Sequence, residues 1–192
     1  MVAGKKNARR LRAWLLFEDE SGVSQQPVVR RTWAPRGATP VMTHTGGHWK
    51  RLSIAAALAF RWDGRRTRFY FHTRPGSYTD ATLIDFLRNL RRHFRQQRVI
   101  LLWDGLGAHK SRLMTAYLAR QRSWLWVERL PAYAPELNPV EQVWGNVKGR
   151  ELANLCAPDL AALRTPLRTG FARMRRQRHL AFAFLRHAGL RL

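Results

Sequence analysis

Five consecutive large apolar residues, Val99-Ile100-Leu101-Leu102-Trp103, stop abruptly at Asp104-Gly105. A strand that is apolar on both alternating faces belongs inside a parallel sheet, where helices cover both sides. The chain is therefore expected to be layered, with further strands beside this one and helices packed around them. Ala13 to Phe17 reads as a buried strand that runs into Glu18-Asp19-Glu20 and the turn residues Ser21-Gly22. Val28 to Trp33 reads as a second short strand, closed by Ala34-Pro35-Arg36-Gly37. Leu52 to Phe60 is expected to be a central strand, although its alanines also suit a helix. Arg68 to His72 pairs with it through a turn at Asp63-Gly64.

The helical segments follow from three- and four-residue spacings. Thr79 or Asp80 caps a helix carrying Leu83, Phe86, Leu87, Leu90 and Phe94 on one face. Leu113 to Arg122 reads as helix and Trp124 to Val127 as strand. A proline-rich loop from Leu130 then leads to Asn138, an N-cap, and Pro139, the first residue of a helix running towards Asn154. Val140, Val143, Trp144 and Val147 form its apolar face, with Trp144 as a core anchor. Pro158 opens a basic helical tail, Asp159 to Leu192. The expected organisation is a basic N-terminal segment (1–11), a mixed α/β domain (12–155) and a basic C-terminal helical tail (156–192).

Charge narrows the partners. Thirty-five Lys and Arg stand against 12 Asp and Glu, a net charge of +23 in 192 residues. Such an excess repels itself in the free protein, so a polyanion is expected, and nucleic acid fits best because phosphate neutralisation releases counterions. The basic segments are interleaved with core residues, which fits an acidic membrane surface less well. No apolar run approaches the roughly 18 residues of a membrane span, and no apolar core follows the basic residues 1–12, so a cytoplasmic protein is expected. One cysteine, Cys156, excludes an internal disulfide and a cysteine-built zinc site; it reads as a small buried apolar residue.

In so basic a chain, three carboxylates at the ends of regular elements draw notice. Asp19 ends the first strand, Asp104 ends the apolar strand, and Glu141 sits in the first turn of the helix after Asn138. Gathered together they would repel unless a divalent cation joined them. Mg²⁺ suits oxygen ligands of this kind, and two ions about 3.5–4 Å apart can activate an attacking oxygen and stabilise a leaving one on phosphorus. Each acid also has a plainer reading. Asp104-Gly105 can be a turn. Asp19 can be a solvated strand end, and local sequence leaves open which of the three neighbouring acids points inward, although alternation sets Glu18 and Glu20 opposite Asp19. Glu141 can close a capping box with Asn138.

Taken together, Phe17-Glu18-Asp19-Glu20-Ser21-Gly22, Thr32-Trp33-Ala34-Pro35-Arg36-Gly37-Ala38-Thr39-Pro40, Leu102-Trp103-Asp104-Gly105-Leu106-Gly107-Ala108-His109-Lys110-Ser111 and the run from Leu130 through Asn138-Pro139-Val140-Glu141 to Trp144 resemble the DDE transposases of insertion sequences related to the Tc/mariner superfamily. Thirty-six residues separate Asp104 from Glu141, close to the family's interval. The resemblance covers about residues 12 to 155. It implies a ribonuclease H-like fold, a metal-binding catalytic triad of Asp19, Asp104 and Glu141, and Mg²⁺ as cofactor, two ions with Mn²⁺ as a substitute. The implied reaction is hydrolysis at transposon ends, then attack of the freed 3′-hydroxyl on target DNA.

The resemblance also implies assembly as a dimer on DNA, with nucleoid association when bound. Two departures stand out. Many relatives carry Asn where this chain has Gly105, and relatives place helix-turn-helix modules before the first acid, which here arrives at residue 19. The chain is therefore expected to be a catalytic half, served by an upstream helix-turn-helix polypeptide. His109 is a second-tier candidate beside the site, or else a helix-start histidine with a structural hydrogen bond. Arg30, Arg31, Trp33 and Arg36, together with Lys110, Lys148 and Arg150, are candidates for DNA contact, each also readable as a solvated basic face. In the tail, Arg173, Arg175, Arg176 and Arg178 read as a basic surface over inward-facing Phe171, Leu180 and Phe184, and Tyr133 as a residue packing its loop. The alternative functions are a catalytically silent remnant that only binds DNA non-specifically, and a simple nuclease or resolvase.

Overall fold

In the computed structural model, which describes residues 2–44 and 50–192, five strands form one sheet. They are β1 (Trp14–Ser24), β2 (Arg51–Phe60), β3 (Thr67–Pro75), β4 (Val99–Trp103) and β5 (Leu125–Arg129), in the order β3-β2-β1-β4-β5. The first three pair antiparallel, while β1–β4 and β4–β5 are parallel. The apolar run at Val99–Trp103 is thus an interior strand with parallel neighbours on both sides, every residue buried. In β2 the alanine run is strand, not helix, because β1 and β3 supply ladder partners along its whole length.

The helices are α1 (Val2–Leu11), α2 (Asp80–His93), α3 (Arg112–Arg120), α4 (Pro139–Arg150), α5 (Leu160–Arg176) and α6 (Arg178–His187). Alternation along β1 sorts the core into two layers. Leu15 and Phe17 share a cluster with Val140, Val143, Trp144, Leu167, Phe171 and Phe184, which places α4, α5 and α6 on one face. Trp14 and Leu16 share the other with Leu83, Leu87, Leu90 and Met114, from α2 and α3. Helix α2 begins as its sequence predicts, with Thr79 as N-cap and Thr82 completing a reciprocal capping box. The basic N-terminal residues form a helix that buries Ala8 against the sheet.

Several local expectations need correction. Val28 to Trp33 makes no strand, only a single parallel bridge between Val28 and Ala153. β2 is flanked by β1 and β3, and β4 flanks β1 only from Trp14 to Phe17; the segment does not add to the edge left beyond Phe17 but reaches Ala153. It runs instead as an extended arm whose base is fastened to the end of the α4 layer. Arg30 N–H donates to Asn154 Oδ1 at 2.8 Å, and Asn154 Nδ2 donates to the Arg30 carbonyl at 3.0 Å. Helix α4 stops at Arg150, short of Asn154, which adopts a positive φ of 55°. Cys156 is half-buried, and Tyr133 is fully exposed and packs against nothing in its loop. Arg173 turns inward and grips Glu151 through Nε at 2.7 Å, while Arg175 stays exposed with its Nε donating to the Phe69 carbonyl at 3.0 Å.

Candidate active site

The register of β1 against β4 brings the first two acids together. Phe17 lies opposite Leu102, so two residues further along, Asp19 reaches the level of Asp104 just past the end of β4; β1 does not end at Asp19 as expected but continues to Ser24, because β2 pairs with it along that whole stretch. Helix α4 supplies the third. Its start is pinned to β1 by Asn138, 4% exposed, whose Nδ2 donates to the Glu18 carbonyl at 3.1 Å while its Oδ1 accepts from Val140 N–H at 3.1 Å. One turn in, Trp144 Nε1 donates to Asp19 Oδ2 at 2.7 Å. Glu141 precedes Trp144 by three residues and shares its helix face. Asp19, Asp104 and Glu141 line one open cavity of about 380 Å³, together with Lys110, Tyr133 and Asn138.

Two of the plainer readings do not fit this geometry. The capping box expected at α4 is not closed: Asn138 N–H donates to the Pro135 carbonyl at 2.9 Å, so Glu141 is not its acceptor. Asn138 caps the helix by itself, and the Glu141 carboxylate faces the cavity. Nor is Asp19 a solvated strand end. Burial, opposed by the Trp144 bond and reinforced by the charges of Glu141, Glu20 and Asp104, raises its carboxyl to about 7. Asp104 does take part in a turn, its Oδ1 accepting from Leu106 N–H at 2.9 Å, while lining the cavity as well.

His109 lies behind the cavity, 2% exposed, with its ring stacked on Trp103 at 4.0 Å and 6°. Its Nδ1 is 2.8 Å from Asp104 Oδ1 and its Nε2 is 3.0 Å from Glu20 Oε1. Burial opposes its charge, but the Glu20 hydrogen bond and the charges of Glu20 and Asp104 outweigh that and raise its pKa. Glu18 and Glu20 do point away from Asp19, as alternation requires, and Glu18 is buried with its pKa pushed well up by desolvation and by Glu20. Their meeting with His109 had no local signal in the sequence, since it joins residues 89 positions apart.

The basic candidates divide into two groups. Lys110 borders the acid cavity, and Lys148 is half-buried beside the acids with Nζ donating to Ser21 Oγ at 2.8 Å. Burial lowers the Lys148 pKa, against the pull of Glu141 and Asp19. Arg30, Arg31 and Arg36 are exposed on the arm, where Trp33 is 100% exposed, and Arg150 is exposed at the end of α4. Among the described residues, no helix is long and apolar enough to cross a membrane.

A family model described as DDE superfamily endonuclease matches residues 14–164. Among solved structures, the Mos1 mariner paired end complex with Mg is similar at a TM-score of 0.67 and 17% identity, covering 98% of this chain and 58% of that one. The Mos1 strand transfer complex is similar at 0.64 and 18% identity, with 98% of this chain and 58% of that one covered. The catalytic domain of Mos1 mariner transposase is similar at 0.57 and 18% identity over all of this chain and 91% of that one. The shared architecture is the ribonuclease H-like fold. The chain spans 58% of the length of the paired end complex's transposase chain. No curated protein sequence matches it.

Proposed function

We propose, from the premise that this chain belongs to the DDE superfamily endonucleases, that it is the catalytic part of a transposase. It cuts DNA phosphodiesters at transposon ends and joins the freed 3′-hydroxyl to target DNA. The observation that carries this reading is the convergence of Asp19, Asp104 and Glu141 on one open cavity in a protein of net charge +23. The three carboxylates fit divalent cations: they are hard oxygen donors, and their mutual repulsion is part of what raises the Asp19 carboxyl. Two Mg²⁺ ions, or Mn²⁺ in their place, would polarise the attacking and leaving oxygens of the scissile phosphate.

The chain's own residues hold that arrangement. Trp144 fixes one Asp19 oxygen, Asn138 fixes the start of α4 against β1, and His109 fixes Asp104 from behind. Lys110 and Lys148 place positive charge beside the acids, suited to the phosphates flanking the cut. Arg30, Arg31, Trp33 and Arg36 on the arm, with Arg150, extend the contact along the DNA backbone. Recognition of the transposon ends falls to a helix-turn-helix polypeptide, and two copies of the catalytic unit act on paired ends at the nucleoid, in the cytoplasm. A silent DNA-binding remnant is disfavoured because all three acids are present and gathered.

The test is Mg²⁺- or Mn²⁺-dependent nicking and strand transfer on DNA carrying the flanking terminal repeats, with and without a fused helix-turn-helix module. Asp104→Asn is expected to abolish both reactions while leaving DNA binding intact. DNA binding without metal-dependent cleavage in either form would leave only the remnant.

A further inference from the structure

The proposed catalytic cavity uses one face of β1, and the residues flanking Asp19 build something on the other. Glu18 is 1% exposed, and neither of its carboxylate oxygens has a hydrogen-bond partner. A buried carboxylate without a partner is among the costliest groups a fold can carry, and it calls for a proton or a cation. Its side chain is aimed at His109, whose Nε2 is 4.0 Å from Glu18 Oε2 and 3.0 Å from Glu20 Oε1. The imidazole cannot turn away: it is stacked on Trp103, and its Nδ1 is held 2.8 Å from Asp104 Oδ1. Nε2 thus faces both glutamates, at hydrogen-bond distance from Glu20 Oε1 and beyond it from Glu18 Oε2, and a cation there would engage the Glu18 oxygens that the ring leaves without a partner.

We propose that Glu18, Glu20 and His109 bind a divalent transition-metal ion, of the Mn²⁺ or Zn²⁺ type, on the face of β1 opposite Asp19. One ligand atom from each residue lies within 4.8 Å of the other two. Ligands held about 2.1 Å from one ion sit about 3.0 Å apart at right angles and about 4.2 Å apart when opposed, which brackets the observed 3.0 and 4.0 Å. An imidazole nitrogen with two carboxylates favours first-row transition ions over Mg²⁺, which prefers oxygen alone. Asp104, whose backbone carbonyl is hydrogen-bonded to Nδ1 at 3.3 Å and whose carboxylate lies 2.8 Å away, orients the ring as outer partners do in histidine–metal sites. Entry is open: Glu20 borders a cavity of about 680 Å³ that Tyr78 and Leu106 also line, with room for water ligands. Through His109 this site touches Asp104, so its loading bears on the placement of an acid proposed for the catalytic cavity.

The experiment uses the chain with Asp19→Asn and Glu141→Gln, which disables the catalytic cavity and keeps Asp104. Mn²⁺ binding is counted by electron paramagnetic resonance, and pulsed measurements report nitrogen coupled to the ion. The expected result is one Mn²⁺ per chain coupled to a histidine nitrogen. Adding Glu18→Gln should weaken that binding by about 10- to 100-fold, the range seen even for outer partners of metal sites. The nitrogen coupling needs no substitution in the site, so a misfolded Glu18→Gln chain does not spare the proposal. If the doubly substituted chain binds no Mn²⁺, or binds it without nitrogen coupling, the proposal fails and Glu18 is a protonated acid sharing its proton within the cluster. Mn²⁺ bound by the unsubstituted chain alone would overturn this site while supporting the catalytic one.

Discussion

Burial and neighbouring acids hold the Asp19 carboxyl at about 7, against an ordinary value of 3.8. The folded chain therefore keeps a proton that the unfolded chain releases. This group's contribution to stability is complete below pH 3.8 and is lost as pH rises through about 7. A bound cation reverses the preference by favouring the ionised form, and at low pH it must displace the proton first. Adding Mg²⁺ or Mn²⁺ is therefore expected to raise Tm more at about pH 8 than at about pH 5.5 in thermal melting. Equal shifts at both would remove Asp19 from the metal site. At this scale Asp104 and Glu141 were legible because each stands at the terminus of a regular element in a chain poor in carboxylates, whereas Asp19, inside β1, was singled out from its neighbours only by the family resemblance. The Glu18–His109–Glu20 cluster was not legible. Alternation shows which way Glu18 and Glu20 point, but nothing local says that residue 109 waits there.

The start of helix α4 is set by Asn138, which both caps the helix and ties it to β1. Asn138→Ala is expected to cost about 1–3 kcal/mol of stability in denaturant unfolding, from the lost cap and the stranded Glu18 carbonyl. Asn138→Asp keeps the capping oxygen but sets a carboxylate where the amide donated. Buried and facing the Glu18 carbonyl, that carboxylate should cost at least as much stability as Asn138→Ala, and nicking should be lost, since α4 carries both Glu141 and Trp144. Full activity in Asn138→Asp would show that the bond to β1 does not position the acid. The cap, the proline start and the apolar face of α4 could all be read in advance, because capping and periodicity are local. The arm could not. Residues 28–33 have strand-like composition, but a strand needs a ladder partner, and this segment makes only a single bridge, Val28 to Ala153.

For the whole molecule, charge and layering decide what the acids can do. A net charge of +23 predicts tight, salt-sensitive DNA binding, and the exposed arm concentrates part of it. Replacing Arg30, Arg31 and Arg36 with Ala is expected to weaken binding to all DNA sequences alike and to reduce the log–log salt slope by about 2–3. An unchanged slope would remove the arm from the DNA path. Helices α5 and α6 share one core cluster with α4, so the C-terminal layer braces the helix that carries Glu141. That bracing was legible only in part: Phe171 and Phe184 read as inward-facing, but which helix they met depends on the chain's path in space. Glu141 is proposed to serve the chemistry and not the helix cap. That role is tested most directly by measuring Mn²⁺-dependent nicking of terminal-repeat DNA by Glu141→Gln, in a preparation whose Tm is recorded alongside. An unchanged Tm is expected, with nicking reduced by about 10²- to 10³-fold or more, the scale of losing one group that stabilises the transition state. Nicking at the unsubstituted rate, or a loss that merely follows a fall in Tm, would contradict that role.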